Sequence, residues 1–436
     1  MMFEGNDLIP VDSTDHDYPF KQESYFYYLF GVKEPAFYAT INVETEKATL
    51  YYKPSPEIYK IWMTVLSKEQ YIKKYELDTF VVDDLEGHIK SMNPSKIYVN
   101  LGVNSDSGTE TQIPKFKWLE NYKIDKEQMH TILANSRVFK SDQEIDLMRA
   151  CCKACSEGHM KVMTEVKPGM IESQLNGFFC FDGLSKYNIT HTSYDSIVAS
   201  GRNSATLHYI DNNKVIEKDD MILLDAGYSL QGYGSDITSC FPASGKFTKH
   251  QKEIYELVLN ANQNVIRESK PGVAYSTMHL LAEKTMLIGL KNLGIVKGDI
   301  EEMIAKRVGY IFFPHGLGHL LGIDVHDVGG YLPNTPARSD KPGLKSLRNP
   351  RFLEKGMVLT VEPGCYFIDY LLEKGANDLK IDSSYVDKDK FNEYKHVGGV
   401  RIEDDILITE NGNEVLTRVP RTVEEIEKFM ATKEFK

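Results

Sequence analysis

Apolar residues recur along this chain with two different periods, and the changes of period divide it into elements. Residues 36–43 and 48–52 are runs rich in aromatic and β-branched side chains on either side of the polar turn 44–47, which predicts a hairpin. A helix is predicted after Ser67, with Gln70 in the place that closes a capping box, and residues 96–101 read as a further strand. Polarity then rises over residues 135–141 and a second capping box, Ser141 with Glu144, opens a new helix. This places a domain boundary between residues 137 and 138. Ile145, Met148, Cys152 and Cys155 follow at helical spacing until Lys167-Pro168-Gly169 ends the helix, and a second helix is expected at about residues 171–184.

About a hundred residues later the same plan returns. Thr248 and Gln251 form a capping box, and Ile254, Leu257, Val258, Ala261 and Val265 keep helical spacing. Lys270-Pro271-Gly272 stops that helix, and residues 278–288 are helical again. Strands are predicted after each helix pair, at 194–199 and 221–241 in the first half and at 357–361 and 399–409 in the second. The expected fold class is therefore α/β (α+β): a small mixed domain over residues 1–137, and a larger domain over 138–436 built as a pseudo-twofold internal repeat. A site formed between two such halves would draw residues from both.

Composition narrows the class of function. In 436 residues, 42% are hydrophobic and 26% charged, as in a soluble globular protein. The net charge of −12 argues against a general binder of nucleic-acid backbone, which needs a basic face. No run reaches the ~18–20 apolar residues of a membrane helix, and the first residues are acidic with no apolar signal core, so the expected location is cytoplasmic. Six cysteines in a chain this long make no disulfide framework, and the pair Cys152 and Cys155 is expected as reduced core. Trp62, one of two tryptophans, reads by pattern as core packing.

Charged residues in unlikely places carry the chemistry. Asp225 interrupts the buried run 221–227 just before a glycine, and Asp236 does the same at 234–238. Two carboxylates on the arms of one hairpin repel unless a cation or proton lies between them. Glu362 ends the run 358–361 and Glu403 lies within 399–403. Each alone is equally readable as a strand-end charge exposed to water; four together are not. Residues 314–330 add His315, His319 and His326 among five glycines. One imidazole with four carboxylates suits two divalent ions bridged by shared carboxylates and a hydroxide, and oxygen-rich ligation favours manganese or cobalt, with zinc possible. The reaction class is then hydrolysis.

Asp225, Asp236, His319, Glu362 and Glu403, together with the wording of residues 314–319, 322–330, 361–364, 398–403 and 419–425, resemble the pita-bread dinuclear metallopeptidases. The similarity runs from about residue 21 to the C-terminus and is strongest to the prolidase branch, the Xaa-Pro dipeptidases. The resemblance implies a creatinase/aminopeptidase P-like domain at 1–137 and a pita-bread catalytic domain at 138–436. It implies that Asp225, Asp236, His319, Glu362 and Glu403 bind two metal ions, that Glu362 also steers the proton of the attacking hydroxide, and that His208 and His326 contact substrate and act in catalysis. Arg348, by pattern a solvated loop arginine, matches the arginine that grips a substrate carboxylate. Tyr194 and Trp62 match substrate-side positions, Trp62 from a homodimer partner, and His315 is left as a neighbour of the metal ligands. The chain also begins shorter than that branch leads one to expect, as if a strand and helix of the first domain's sheet were missing. Two alternatives stay open: an aminopeptidase P acting on longer Xaa-Pro peptides, and a metal-free binding protein on the same fold, which the presence of all five ligands disfavours.

Overall fold

The computed structural model describes residues 1–435 and divides into two compact units, Met1–Arg137 and Val138–Lys436. In the first unit, β1 (Met2–Glu4), β2 (Phe37–Asn42), β3 (Lys47–Tyr52) and β4 (Asp78–Val81) form one sheet in that order. The predicted hairpin is β2 and β3, paired Asn42 to Lys47 at the turn. Helices α1 (Ser24–Phe30), α2 (Lys68–Tyr75) and α3 (Leu85–Met92) accompany it, and α2 begins at the Ser67 and Gln70 capping box. The strand expected at 96–101 shrinks to β5 (Ile97–Tyr98), which pairs in parallel with β6 (Ile124–Asp125). Trp62 does not pack in a core. It follows the short 3-10 helix Glu57–Ile61, which buries no residue, and stands 79% exposed.

Helix α4 (Met129–Val138) leads to the second unit, which is built twice from the same parts. Ser141 caps α5 (Asp142–Glu165) and Thr248 caps α7 (Lys249–Glu268), each with the reciprocal bond from its Glu or Gln. Each Pro-Gly that follows turns through a glycine at positive φ, Gly169 at 92° and Gly272 at 86°. The two glycine N–H groups donate to Ile216 O and Leu353 O, both at 2.8 Å, so the same turn ties each half to the chain entering its strands. The second helices, α6 (Glu172–Tyr187) and α8 (Tyr275–Asn292), run longer than their patterns suggested.

The first half contributes β7 (Ile197–Ser200), β8 (Met221–Ala226), the small hairpin β9 (Ser229–Leu230) with β10 (Tyr233–Gly234), and β11 (Ile237–Pro242). Their antiparallel sheet has the order β11-β8-β7. The second half contributes β12 (Val358–Val361), β13 (Gly364–Tyr366), β14 (Gly399–Arg401), β15 (Asp404–Ile408) and β16 (Asn413–Val415). These form the sheet β12-β15-β16 and the pair β13-β14, and a bridge between Thr238 and Glu403 joins the halves. Strand β7 starts three residues after Tyr194, at Ile197 opposite Asp225, while Ser193 N–H donates to Gly227 O at 2.8 Å and Thr192 bridges Tyr228. Cys152 and Cys155 are buried on the inner face of α5 as expected. Among the described residues no helix is long and apolar enough to cross a membrane.

Candidate active site

The strand ends of both halves meet at a cavity of about 490 Å³ lined by Tyr194, His208, Asp225, Asp236, His315, His319, His326, Arg348, Glu362, Arg401 and Glu403. Nine of these are sequence-singled site residues, and Trp62 lies in the other unit. The carboxylates are not the solvent-exposed strand ends that each alone suggests: Asp225, Asp236 and Glu403 are 8%, 5% and 2% exposed. Asp225 on β8 stands opposite Thr238 of β11 in the ladder, and Thr238 bridges to Glu403. Pairing alone therefore gathers three parts of the site.

Donor atoms of Asp236, His319 and Glu403 lie within 4.8 Å of one another. His319 Nε2 is 3.3 Å from Asp236 Oδ2 and 3.6 Å from Glu362 Oε1. The imidazole is oriented from behind by its own backbone: Nδ1 is 3.0 Å from Leu320 O, which only accepts, so Nδ1 carries the hydrogen and Nε2 faces the carboxylates. Glu403 Oε2 accepts from Thr238 Oγ1 at 2.6 Å. Tyr194 donates its hydroxyl to Asp225 Oδ1 at 2.6 Å and also bonds Asp236.

Burial and mutual repulsion dominate the electrostatics. The Glu362 carboxyl is pushed up to about 7 by burial, against His319 and with Asp236 adding to the rise. Burial and the charges of Asp236, Glu362 and Asp225 push Glu403 well above the usual carboxylate range. Burial lowers His319, but Asp236 and Glu362 more than reverse this and raise it to about 9. His315 stays neutral, driven down to about 3 by burial and Arg401. Its Nδ1 lies 3.7 Å from Glu362 Oε2 and its Nε2 bonds the Tyr366 hydroxyl at 3.0 Å, which makes it the neighbour of a candidate ligand that the sequence suggested. Four carboxylates gathered out of water with so little compensating charge form a donor set that fits divalent cations.

One organising residue was missed by sequence reasoning. Arg401 is buried, donates Nη2 to Asp225 Oδ2 at 2.5 Å and Nη1 to the Tyr366 hydroxyl at 2.8 Å, and places Nε 3.2 Å from Thr238 Oγ1. Its signal was present: Arg401 and Glu403 are two apart in an otherwise apolar run, the spacing that puts two side chains on one face of a strand. Arg348, read by pattern as solvated, is half-buried in the cavity wall.

Residues 146–410 match the model of metallopeptidase family M24, and residues 1–98 match that of the aminopeptidase P N-terminal domain. The chain belongs to metallopeptidase family M24. This M24 chain is 43% identical to the Xaa-Pro dipeptidase of Homo sapiens over 99% of its own length and 88% of that protein. It is 36% identical to a probable Xaa-Pro aminopeptidase of Botryotinia fuckeliana, over 99% and 92%. Among solved structures, aminopeptidase PepP of Pseudomonas aeruginosa superposes with a TM-score of 0.81 at 31% identity, over 99% of this chain and 93% of that one. Zinc-substituted aminopeptidase P of Escherichia coli, solved with product, gives 0.80 at 29% identity, over 100% and 94%. The architecture is thus an aminopeptidase P-type N-terminal domain followed by a pita-bread metallopeptidase domain.

Proposed function

We propose that this M24 peptidase hydrolyses Xaa-Pro dipeptides with two divalent ions held by Asp225, Asp236, His319, Glu362 and Glu403. Manganese is the expected metal, with cobalt or zinc able to replace it. The observation that carries this reading is that all five donors open onto the same cavity as Arg348. The identity to the human Xaa-Pro dipeptidase over nearly the whole chain supports the substrate class.

When bound, the ions would activate a water and polarise the scissile carbonyl. The chain's own residues do the rest. Glu362 takes the proton of the attacking water on a carboxylate oxygen and delivers it toward the departing proline nitrogen. His326 opens onto the cavity with its ring 4.5 Å from that of His319, and the cavity walls with nearby His319 and Arg348 keep it neutral. A neutral imidazole there donates to the developing oxyanion, while His208 holds the substrate from the opposite half. The Tyr194 hydroxyl is already bonded to Asp225 and Asp236, so its ring face is the part assigned to substrate. Arg348 binds the substrate's terminal carboxylate, for which a planar guanidinium is suited. A carboxylate fixed at one distance from the scissile bond leaves room for a single residue beyond it, and dipeptides are favoured.

Homodimerisation, with Trp62 reaching toward the partner's substrate, belongs to the same reading and is supported by the exposed apolar run Ile58, Tyr59, Ile61, Trp62 and Met63. So does a cytoplasmic location, where thiols such as Cys151 and Cys155, bonded to Tyr228 O and Ala226 O, stay reduced.

The test is to strip the metal, restore manganese, cobalt or zinc, and assay Gly-Pro, Gly-Pro-Ala and Gly-Leu. Gly-Pro is expected to be cleaved fastest; equal cleavage of Gly-Pro-Ala would remove the carboxylate argument and make the enzyme an aminopeptidase P. Asp236→Ala should abolish turnover and lower the bound metal below two per chain, as counted by elemental analysis. Retention of both would overturn the site assignment.

A further inference from the structure

Arg348 is the one long, flexible side chain asked to define a distance, and a guanidinium on several rotatable bonds is only as well placed as the backbone beneath it. That backbone is gripped immediately before Arg348. The carbonyl of Leu347, a residue 1% exposed, accepts from the Tyr331 hydroxyl at 2.6 Å and from Arg338 Nη1 at 3.3 Å. Arg338 Nη1 also donates to Lys345 O at 3.1 Å, so the same guanidinium spans the short turn Leu344–Ser346 that leads into Leu347. The two donors are themselves joined: the Arg338 guanidinium carbon lies 4.0 Å from the centre of the Tyr331 ring. A small loop makes this possible. Leu332 N–H donates to Thr335 Oγ1 at 2.9 Å and Thr335 N–H to Leu332 O at 3.0 Å, returning the chain so that Arg338 comes back over Tyr331. On the other side of the grip, Gly330 runs so close that a Cβ there would lie 2.0 Å from Arg348 O.

We propose that Tyr331 and Arg338 are positioning residues that fix the reach of Arg348 into the cavity, and thereby set how strictly the enzyme demands a free carboxylate one residue beyond the scissile bond. The inference rests on the reading of Arg348 as the carboxylate-binding group. Neither residue lines the cavity. Their bonds go to the backbone that carries Arg348, the Leu347 carbonyl above all, and this distinguishes them from residues that touch the peptide. Loosening the grip lets Arg348 sample positions about an ångström off, enough to weaken a contact that depends on orientation.

The experiment compares Gly-Pro with glycyl-prolinamide, which has the same scissile bond and no terminal carboxylate, on the manganese-loaded enzyme and its Tyr331→Phe, Arg338→Gln and Arg348→Ala variants. Tyr331→Phe removes one oxygen and keeps the ring, so it tests the grip without disturbing the loop's packing. For Tyr331→Phe and Arg338→Gln the expected result is a KM for Gly-Pro raised roughly tenfold with kcat within about twofold, and unchanged kinetics on the amide. Arg348→Ala should give the same split, larger. Equal losses on both substrates, or wild-type behaviour of Tyr331→Phe and Arg338→Gln while Arg348→Ala shows the split, would overturn the proposal. Absence of the split in Arg348→Ala itself would instead bring down the reading of Arg348, and the proposal with it.

Discussion

Glu362 is a carboxyl group held among other carboxyls, and its proton is the simplest measure of what the site lacks without metal. In an unfolded chain it titrates near 4.5, and in the fold it is pushed up to about 7. Between those values the folded metal-free protein keeps a proton that the unfolded chain has lost. Stability from this group is therefore fully present below about pH 4.5 and is lost as pH rises toward 7. Divalent ions bind the deprotonated carboxylate, so metal uptake expels that proton, and the stabilisation by added manganese should grow over the same window. Thermal unfolding of the metal-free protein across about pH 5 to 7.5 is expected to show a falling midpoint, with Glu362→Gln flattening that slope. If wild type and Glu362→Gln have parallel pH profiles, the assignment of the proton to Glu362 is wrong. His319 continues the effect at higher pH: Asp236 and Glu362 raise it from 6.5 to about 9, so the stability from its proton is lost between those values, and it too must give up that proton to serve as a ligand.

At the scale of elements, the glycine-rich segment carrying His319 and His326 has little regular structure, and a buried ion pair holds its far end. Lys140 Nζ lies 2.9 Å from Asp327 Oδ2 with both side chains 1% exposed. Lys140 sits just before the cap of α5, and its N–H donates to Gly356 O at 2.9 Å, so the pair ties His326's neighbour to the start of a long helix. Lys140→Met takes a cation from a buried carboxylate and should cost up to about 3–5 kcal/mol, while Lys140→Met with Asp327→Leu should recover most of it. Urea unfolding of the three proteins measures this, and a double variant no better than the single would show that the pair is not a closed unit. Such a tie was invisible in the sequence because its members are 187 positions apart. The same holds for Arg401 and Asp225, at 176. What was legible is what is local. The Ser141 and Thr248 capping boxes declare themselves within four residues, and carboxylates inside apolar strands stand out because burial forbids them without a partner. Tyr194 was placed at the head of a strand over 194–199, but the apolar run begins only at Ile197, and that is where β7 starts. Trp62 was read as core because Ile-Trp-Met looks buried on hydropathy alone.

At the scale of the whole molecule, that misreading of Trp62 becomes informative. Ile58, Ile61, Trp62 and Met63 are 60%, 68%, 79% and 51% exposed around one short 3-10 helix, a cluster of large apolar side chains of the kind that marks an interaction surface. A second copy of the chain is the partner the homodimer reading supplies, and tryptophan reports directly on whether it arrives. Trp118, the other tryptophan, stacks on Phe116 with ring centres 5.4 Å apart and is packed within its own unit, so Trp118→Phe leaves Trp62 as the only indole signal. In a monomer that indole is in water; in a dimer it leaves water and its emission shifts to the blue. Raising the Trp118→Phe protein from nanomolar to micromolar concentration should produce that shift together with a doubling of mass by light scattering, and Ile61→Glu should suppress both. The Ile61→Glu protein should also bind Gly-Pro less tightly if Trp62 reaches the partner's substrate, since KM then depends on the partner being present. A red emission maximum that stays constant with concentration, alongside the mass of a single chain, would show that this surface does not pair with itself and that the cavity works without a second copy.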